Sequence, residues 1–264
     1  RYLLSLKELA DEYFVVFYDQ RGTGLSPRVD AKELTVDNMI NDLDGIINYY
    51  AKGKQVNLIG HSWGGMLATG YISKYPNKIN KVVLAEPGPL TSEKVNEFME
   101  LVEMDFSFSL LWYVGKCWFQ SLHVKGPDKQ ASIDYFFTAQ YFKADASLYK
   151  ELPLSKYYCN RDFNTASMEY WRSSSLSNET VLNSCFDEEG KMYINLISGV
   201  ENFTNKVLFM VSECNTIIGE EYQKGQMKYF NNTEMVVIRN AGHTMFGEQP
   251  VSSIDAVRRY FNED

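Results

Sequence analysis

The stretch "QVNLIGHSWGGMLATGYISKY" (55–75) decides how this chain is read. It opens on an apolar run, passes through a glycine-flanked serine in "GHSWGG" (60–65), and continues into residues compatible with a helix. A G-x-S-x-G placed between a strand and a helix has a mechanical reason. The serine occupies a strained turn, and the glycines let the backbone close without steric conflict. Ser62 is therefore read as a nucleophile, and the amide of Trp63, free at a helix N-terminus, as a donor to an oxyanion.

Working outward, "YFVVFYD" (13–19), "QVNLIG" (55–60) and "KVVLAE" (81–86) have the β-branched and aromatic character of buried parallel strands. Between the first two, Val36, Met39, Ile40, Leu43, Ile46, Ile47 and Tyr50 recur at helical spacing, with Thr35 placed to cap. Alternation resumes with "KVLFMVS" (206–212), a helix near 220–230, "EMVVIRN" (234–240) and a last helix that Pro250 can start. This is the pattern of an α/β fold with a mostly parallel sheet and helices on its faces.

The middle breaks that rhythm. Residues 91–195 hold 20 of the 38 aromatic residues and show helical patches without a strand series. They read as an inserted helical cap over the carboxyl edge of the sheet, with 1–90 and 196–264 forming the core.

The 264 residues are 45% hydrophobic, which excludes a disordered chain. A net charge of −8 argues against nucleic acid or an anionic membrane as the main partner, and no apolar run reaches the ~18 residues of a membrane span. Cys117, Cys159, Cys185 and Cys214 are widely spaced and suggest neither a zinc site nor a dithiol redox pair. The sequons at Asn178, Asn202 and Asn231 are chance matches in an Asn-rich chain. Arg1 is followed by no signal-peptide pattern.

A serine hydroxyl needs a base. Of the three histidines, His61 should point away from the elbow and His123 lies in the cap. His243, in "NAGHTMFGEQP", follows the last strand, where a base belongs if chain order is serine, acid, histidine. The acid should then follow "KVLFMVS", in the loop "ECNTIIG", where the aligned position is Asn215. Asparagine orients an imidazole without stabilising imidazolium, and Asp-to-Asn in a serine triad costs roughly 10⁴ in kcat. Glu213, by a shift of register, and Glu86, at the end of "KVVLAE", are the alternative carboxylates. Arg21 and Asp19 are read as bracing the loop beside the nucleophile.

With "YDQRGTGLS" (18–26), "GHSWGG" (60–65) and "AGHTMFGEQP" (241–250) in hand, the chain resembles the α/β-hydrolase fold and, within it, the proline iminopeptidase family. The resemblance covers both sheet portions and not the cap. It implies a serine peptidase that removes an N-terminal residue, often proline, from short peptides. Ser62 attacks, His243 moves the proton and residue 215 orients the histidine, with no metal or organic cofactor. Acidic residues near the cap would hold the substrate ammonium, with Glu86, Glu169 and Glu179 as counterparts. Family members begin with further strands and an H-G-G-P-G type loop that supplies a second oxyanion donor. This chain starts after that loop, so the resemblance further implies an incomplete sheet and oxyanion hole. An ester hydrolase, and a catalytically silent binding protein suggested by Asn215 and the short front, are the competing readings.

Overall fold

A computed structural model describes residues 3–102, 107–126, 128, 130–142, 153–159, 174–183 and 194–263. Four strands, β1 (Val56–His61), β2 (Ile79–Ala85), β3 (Val207–Ser212) and β4 (Thr233–Ile238), form a parallel sheet in the order β1-β2-β3-β4. Each matches an apolar run of the sequence. The central pair is dry, with every residue of β3 and Val82 to Ala85 of β2 buried, as expected of strands covered on both faces.

Helix α1 (Leu3–Leu6) opens the described chain, and α2 (Val36–Ala51) is the expected amphipathic helix, placed before the first strand. The α2 face carrying Met39, Ile40, Leu43 and Ile47 is buried, and Thr35 Oγ1 accepts from the Asn38 amide at 3.2 Å. Helix α3 (Trp63–Lys74) follows β1 directly and packs its Leu67, Tyr71 and Ile72 into the same core.

The expected strand at 13–19 is not one. Residues 14–20 have no regular secondary structure and do not join the sheet, and Phe14 is 82% exposed. The physical reason is pairing: among the described residues β1 is laddered on one side only, by β2. The segment and β1 line an apolar cavity of about 600 Å³, with Phe14, Val16, Tyr50, Val56, Leu58 and Phe261 among its walls. Strand propensity without a neighbour to bond does not make a strand.

Between β2 and β3 lie α4 (Ser92–Leu101), α5 (Phe108–Ser121), α6 (Gln130–Phe142) and α7 (Ser175–Asn183). The insertion is closed at its neck. Thr91 and Asn195 form an antiparallel bridge, the Ser92 amide donates to Ile194 O and the Leu196 amide to Leu90 O, both at 3.0 Å. Arg28 fastens α6 to the core through Asp134 at 2.7 Å and Gln130 at 2.9 Å. After β3 come α8 (Glu220–Met227), then β4, a short turn of helix α9 (Met245–Glu248), and α10 (Pro250–Asn262), which Pro250 does start.

Candidate active site

Ser62 sits between β1 and α3 with φ 54° and ψ −120°, a backbone conformation that costs a non-glycine residue of order 1–3 kcal/mol. Its neighbourhood requires the first glycine of the motif, while a Cβ on Gly64 would meet nothing within 4 Å. A Cβ on Gly60 would come within 2.3 Å of the Gly64 carbonyl oxygen, so the turn closes only if position 60 has no side chain. Gly65 and Met66 donate to Ser62 O at 2.9 and 3.2 Å and start the helix. The Trp63 amide stands one position too early to find an acceptor inside α3.

His243 lies in the loop after β4. Its amide donates to Tyr157 O at 2.9 Å, and its ring stands 4.9 Å from the Tyr157 ring and 4.4 Å from that of His61. His61 Nε2 donates to the His243 carbonyl at 2.6 Å. Glu248 holds the same loop, accepting from the Gly242 amide at 2.8 Å and from Thr244 Oγ1 at 2.7 Å.

The acid that meets the histidine is Glu86. His243 Nδ1 lies 2.7 Å from Glu86 Oε2. Glu86 is fully buried and has φ 41°, so two of the three residues in this line hold left-handed backbone. Its Oε1 accepts from the Ser212 amide at 2.7 Å and Ser212 Oγ at 2.5 Å, and its Oε2 also accepts from Asn215 Nδ2 at 2.7 Å. Burial pushes the Glu86 carboxyl up to about 7, against the hydrogen bonds from Ser212 and Asn215, which pull it down.

The expectation that residue 215 contacts the histidine is thereby corrected. Asn215 gives its amide N–H to Glu86 and uses Oδ1 to accept from the Ile217 and Ile218 amides at 3.0 and 3.1 Å. It stands behind the carboxylate because β2 and β3 end side by side and Glu86 reaches across first. Glu86 as a holder of substrate ammonium is corrected too, since both its oxygens are engaged and it has no exposed surface. Glu213 points away, pairing with Arg239 at 2.7 Å and the Asn240 amide at 2.8 Å, which hold its carboxyl below the usual range. Glu179 is on an exposed face of α7, and Glu169 lies outside the described residues. His123 is exposed, its Nδ1 3.0 Å from Phe119 O.

In the "DQRG" stretch, Asp19 and Arg21 fix the loop itself and Gln20 reaches the elbow. Asp19 Oδ2 accepts from the Leu25 amide at 2.8 Å, and Arg21 grips Asp42 of α2 with two contacts of 2.6 Å. Gln20, not singled out in the sequence, accepts from Trp63 Nε1 at 2.9 Å and so ties that loop to the residue after Ser62. Cys159 and Cys214 form a disulfide, 55 residues apart, that clamps the Tyr157 segment to the Asn215 loop. No motif marks this pair; only the fold brings it together. Among the described residues no cluster has the donors for a metal ion.

The profile of the alpha/beta hydrolase fold family matches residues 5–250. A proline iminopeptidase of Thermoplasma volcanium is 27% identical over 142 residues, covering 52% of this chain and 46% of that one. Proline iminopeptidase PfmaB of Pestalotiopsis fici is 24% identical across 98% of this chain and 85% of its own length. Epoxide hydrolase 1 of Caenorhabditis elegans is 23% identical over 98% of this chain and 61% of that protein. The match thus spans less than two thirds of two of these relatives. Among solved structures, VinJ superposes with a TM-score of 0.63 at 18% identity, covering 98% of this chain and 84% of that one, a likeness of fold.

Proposed function

Because the chain belongs to the alpha/beta hydrolase fold family, we propose that it is a serine hydrolase working through Ser62, His243 and Glu86. The observation that carries the reading is the 2.7 Å contact between His243 Nδ1 and a fully buried carboxylate. A carboxylate there fixes the tautomer that leaves Nε2 as the base for Ser62 Oγ, and stabilises the imidazolium once it takes the proton.

Ser62 Oγ attacks the substrate carbonyl as its proton passes to His243. The oxyanion is met by the Trp63 amide at the start of α3. His243 then gives the proton to the leaving group, the C–N or C–O bond breaks, and an acyl ester remains on Ser62. Water, deprotonated by His243, attacks that ester and regenerates the serine. Asn215 is a positioning residue that holds Glu86.

We further propose short peptides with a free N-terminal residue as the substrate class. The support is the motif set "DQRG", "GHSWGG" and "AGHTMFGEQP", and two relatives named proline iminopeptidase that match at 27% and 24% identity. Residues 91–195 would act as the cap over the site. An ester substrate is favoured by a different observation. Among the described residues the buried carboxylates are Glu86 and Asp134, and both are engaged by protein groups. A substrate ammonium would need another.

A panel of aminoacyl p-nitroanilides beside p-nitrophenyl acyl esters, with Ser62→Ala as blank, tests both readings. Turnover of anilides that vanishes in the variant supports the peptidase; turnover of esters alone supports the ester hydrolase. No Ser62-dependent turnover and no fluorophosphonate adduct would sink the hydrolase.

A further inference from the structure

Helix α5 is amphipathic the wrong way out. Its inner face, Leu110, Tyr113, Cys117 and Ser121, is buried. Its outer face carries Phe108, Leu111, Trp112, Trp118, Phe119 and Leu122, all exposed, Phe108 by 84% and Trp112 by 73%. These positions fall at i, i+3, i+4, i+10, i+11 and i+14, with Gly115 at i+7, so they form one stripe along the helix. Ile133 and Phe137 of the adjoining α6, one turn apart, are exposed as well. Taking 150–250 Å² for an aromatic side chain, the stripe presents on the order of 800 Å² of apolar surface, beyond the largest patch of an ordinary monomer.

The charge pattern says what covers it. The chain has 34 acidic residues and a net charge of −8, yet no Asp or Glu occurs from Phe106 to Pro127. That segment carries Lys116 and Lys125, both exposed, at the margin of the stripe. We propose that this face docks on a zwitterionic phospholipid surface. Tryptophan and phenylalanine would enter the boundary between head groups and acyl chains while the lysines reach phosphates. A self-complementary dimer through the same face would set the exposed Lys116 and Lys125 of one copy against those of the other. The overall negative charge would keep the molecule off strongly anionic membranes. No described helix is long and apolar enough to cross a bilayer, so the contact is with the surface.

The stripe is backed by the site. Leu110, on the inner face of α5, packs in one cluster with Tyr157, Ile217 and Tyr222, and Tyr157 supports His243. Docking would hold the histidine loop about one helix diameter, ~10 Å, from the lipid surface.

The test is co-sedimentation of the full chain with sucrose-loaded phosphatidylcholine vesicles, paired with quenching of tryptophan emission by brominated acyl chains. The expected result is partition of the native chain with strong quenching, and at least tenfold weaker partition of Trp112→Glu/Phe119→Glu at an unchanged thermal midpoint. Leu122→Glu, at the helix end, reads the same loss if the double variant fails to fold. Absence of partition, or equal partition of the folded variants, overturns the proposal. A concentration-dependent dimer that the variants abolish, without vesicle binding, assigns the face to a second copy and overturns it too.

Discussion

Replacing Glu86 by glutamine separates the two things this residue does. The amide keeps the shape and can leave its oxygen on Ser212, but its NH₂ then faces two donors, Asn215 Nδ2 and His243 Nδ1. Imidazolium loses its counter-charge, which in a serine triad is worth roughly 10⁴ in rate. Stability moves differently. Burial raises the Glu86 carboxyl from 4.5 to about 7, so the fold binds this proton more tightly than the unfolded chain does. The stabilisation this gives is complete below 4.5 and is lost as pH rises through 7. At 1.36 kcal/mol per tenfold change, it amounts to on the order of 3 kcal/mol. Glutamine has no proton to release and does not lose stability in that window. The assay is fluorophosphonate labelling of Ser62 at pH 8 by intact mass, beside urea unfolding at pH 4.5, 6 and 8. Glu86→Gln should label about 10⁴-fold more slowly, while its stability relative to the native chain climbs by about 3 kcal/mol from the lowest pH to the highest. Labelling within tenfold of native, or a stability difference that ignores pH, would refute the assignment of the acid and the account of its burial.

Labelling of the native chain should itself rise with pH through an apparent midpoint near 7, as the Glu86 carboxyl ionises, read from the labelling rate between pH 5 and 9. Ser62→Gly should abolish labelling and raise stability by about 1 kcal/mol in urea unfolding, because glycine adopts φ 54° without strain. Asn215→Asp should not improve the enzyme: it sets a second buried carboxylate 2.7 Å from the first and should cost roughly 2–4 kcal/mol at pH 8, measured by the same unfolding. Cys159→Ser/Cys214→Ser opens a 55-residue loop and should lower stability by up to about 4 kcal/mol, with a fall in labelling rate as the Tyr157 segment loosens from His243.

Local pattern made much of this legible. Apolar runs of four to seven residues bounded by turn signals located β1 to β4, and a 3.6-residue period with Thr35 before it located α2. The serine motif was readable because its first glycine answers a contact within five residues, Gly60 against the carbonyl of residue 64. What failed depended on neighbours distant in the chain. Residues 13–19 have the composition of a strand, but strand formation is a property of pairs. Glu86 was visible only as one of several carboxylates, since its priority over position 215 depends on the parallel register of β2 against β3, where Ala85 stands opposite Met210. Gln20 and the disulfide act across 43 and 55 positions, and no periodicity announces them.

The asparagine at 215 then ceases to be a defect. Parallel strands deliver their carboxyl ends to one edge, and the ends of β2 and β3 are adjacent, so either strand can present a carboxylate to a histidine arriving from β4. They cannot both do so, because two buried carboxylates 2.7 Å apart would share one proton. With Glu86 in place, the best residue at 215 is neutral, close in shape to aspartate, and able to donate. Asparagine meets all three conditions, and its remaining oxygen still caps the turn at Ile217 and Ile218 as an aspartate would. Glu86 itself has φ 41° just past the end of β2, with its amide held by Met210 O at 2.9 Å and its side chain on Ser212. On the proposed assignment, the positive φ at Glu86 and the asparagine at 215 both follow from a carboxylate presented by β2 instead of β3.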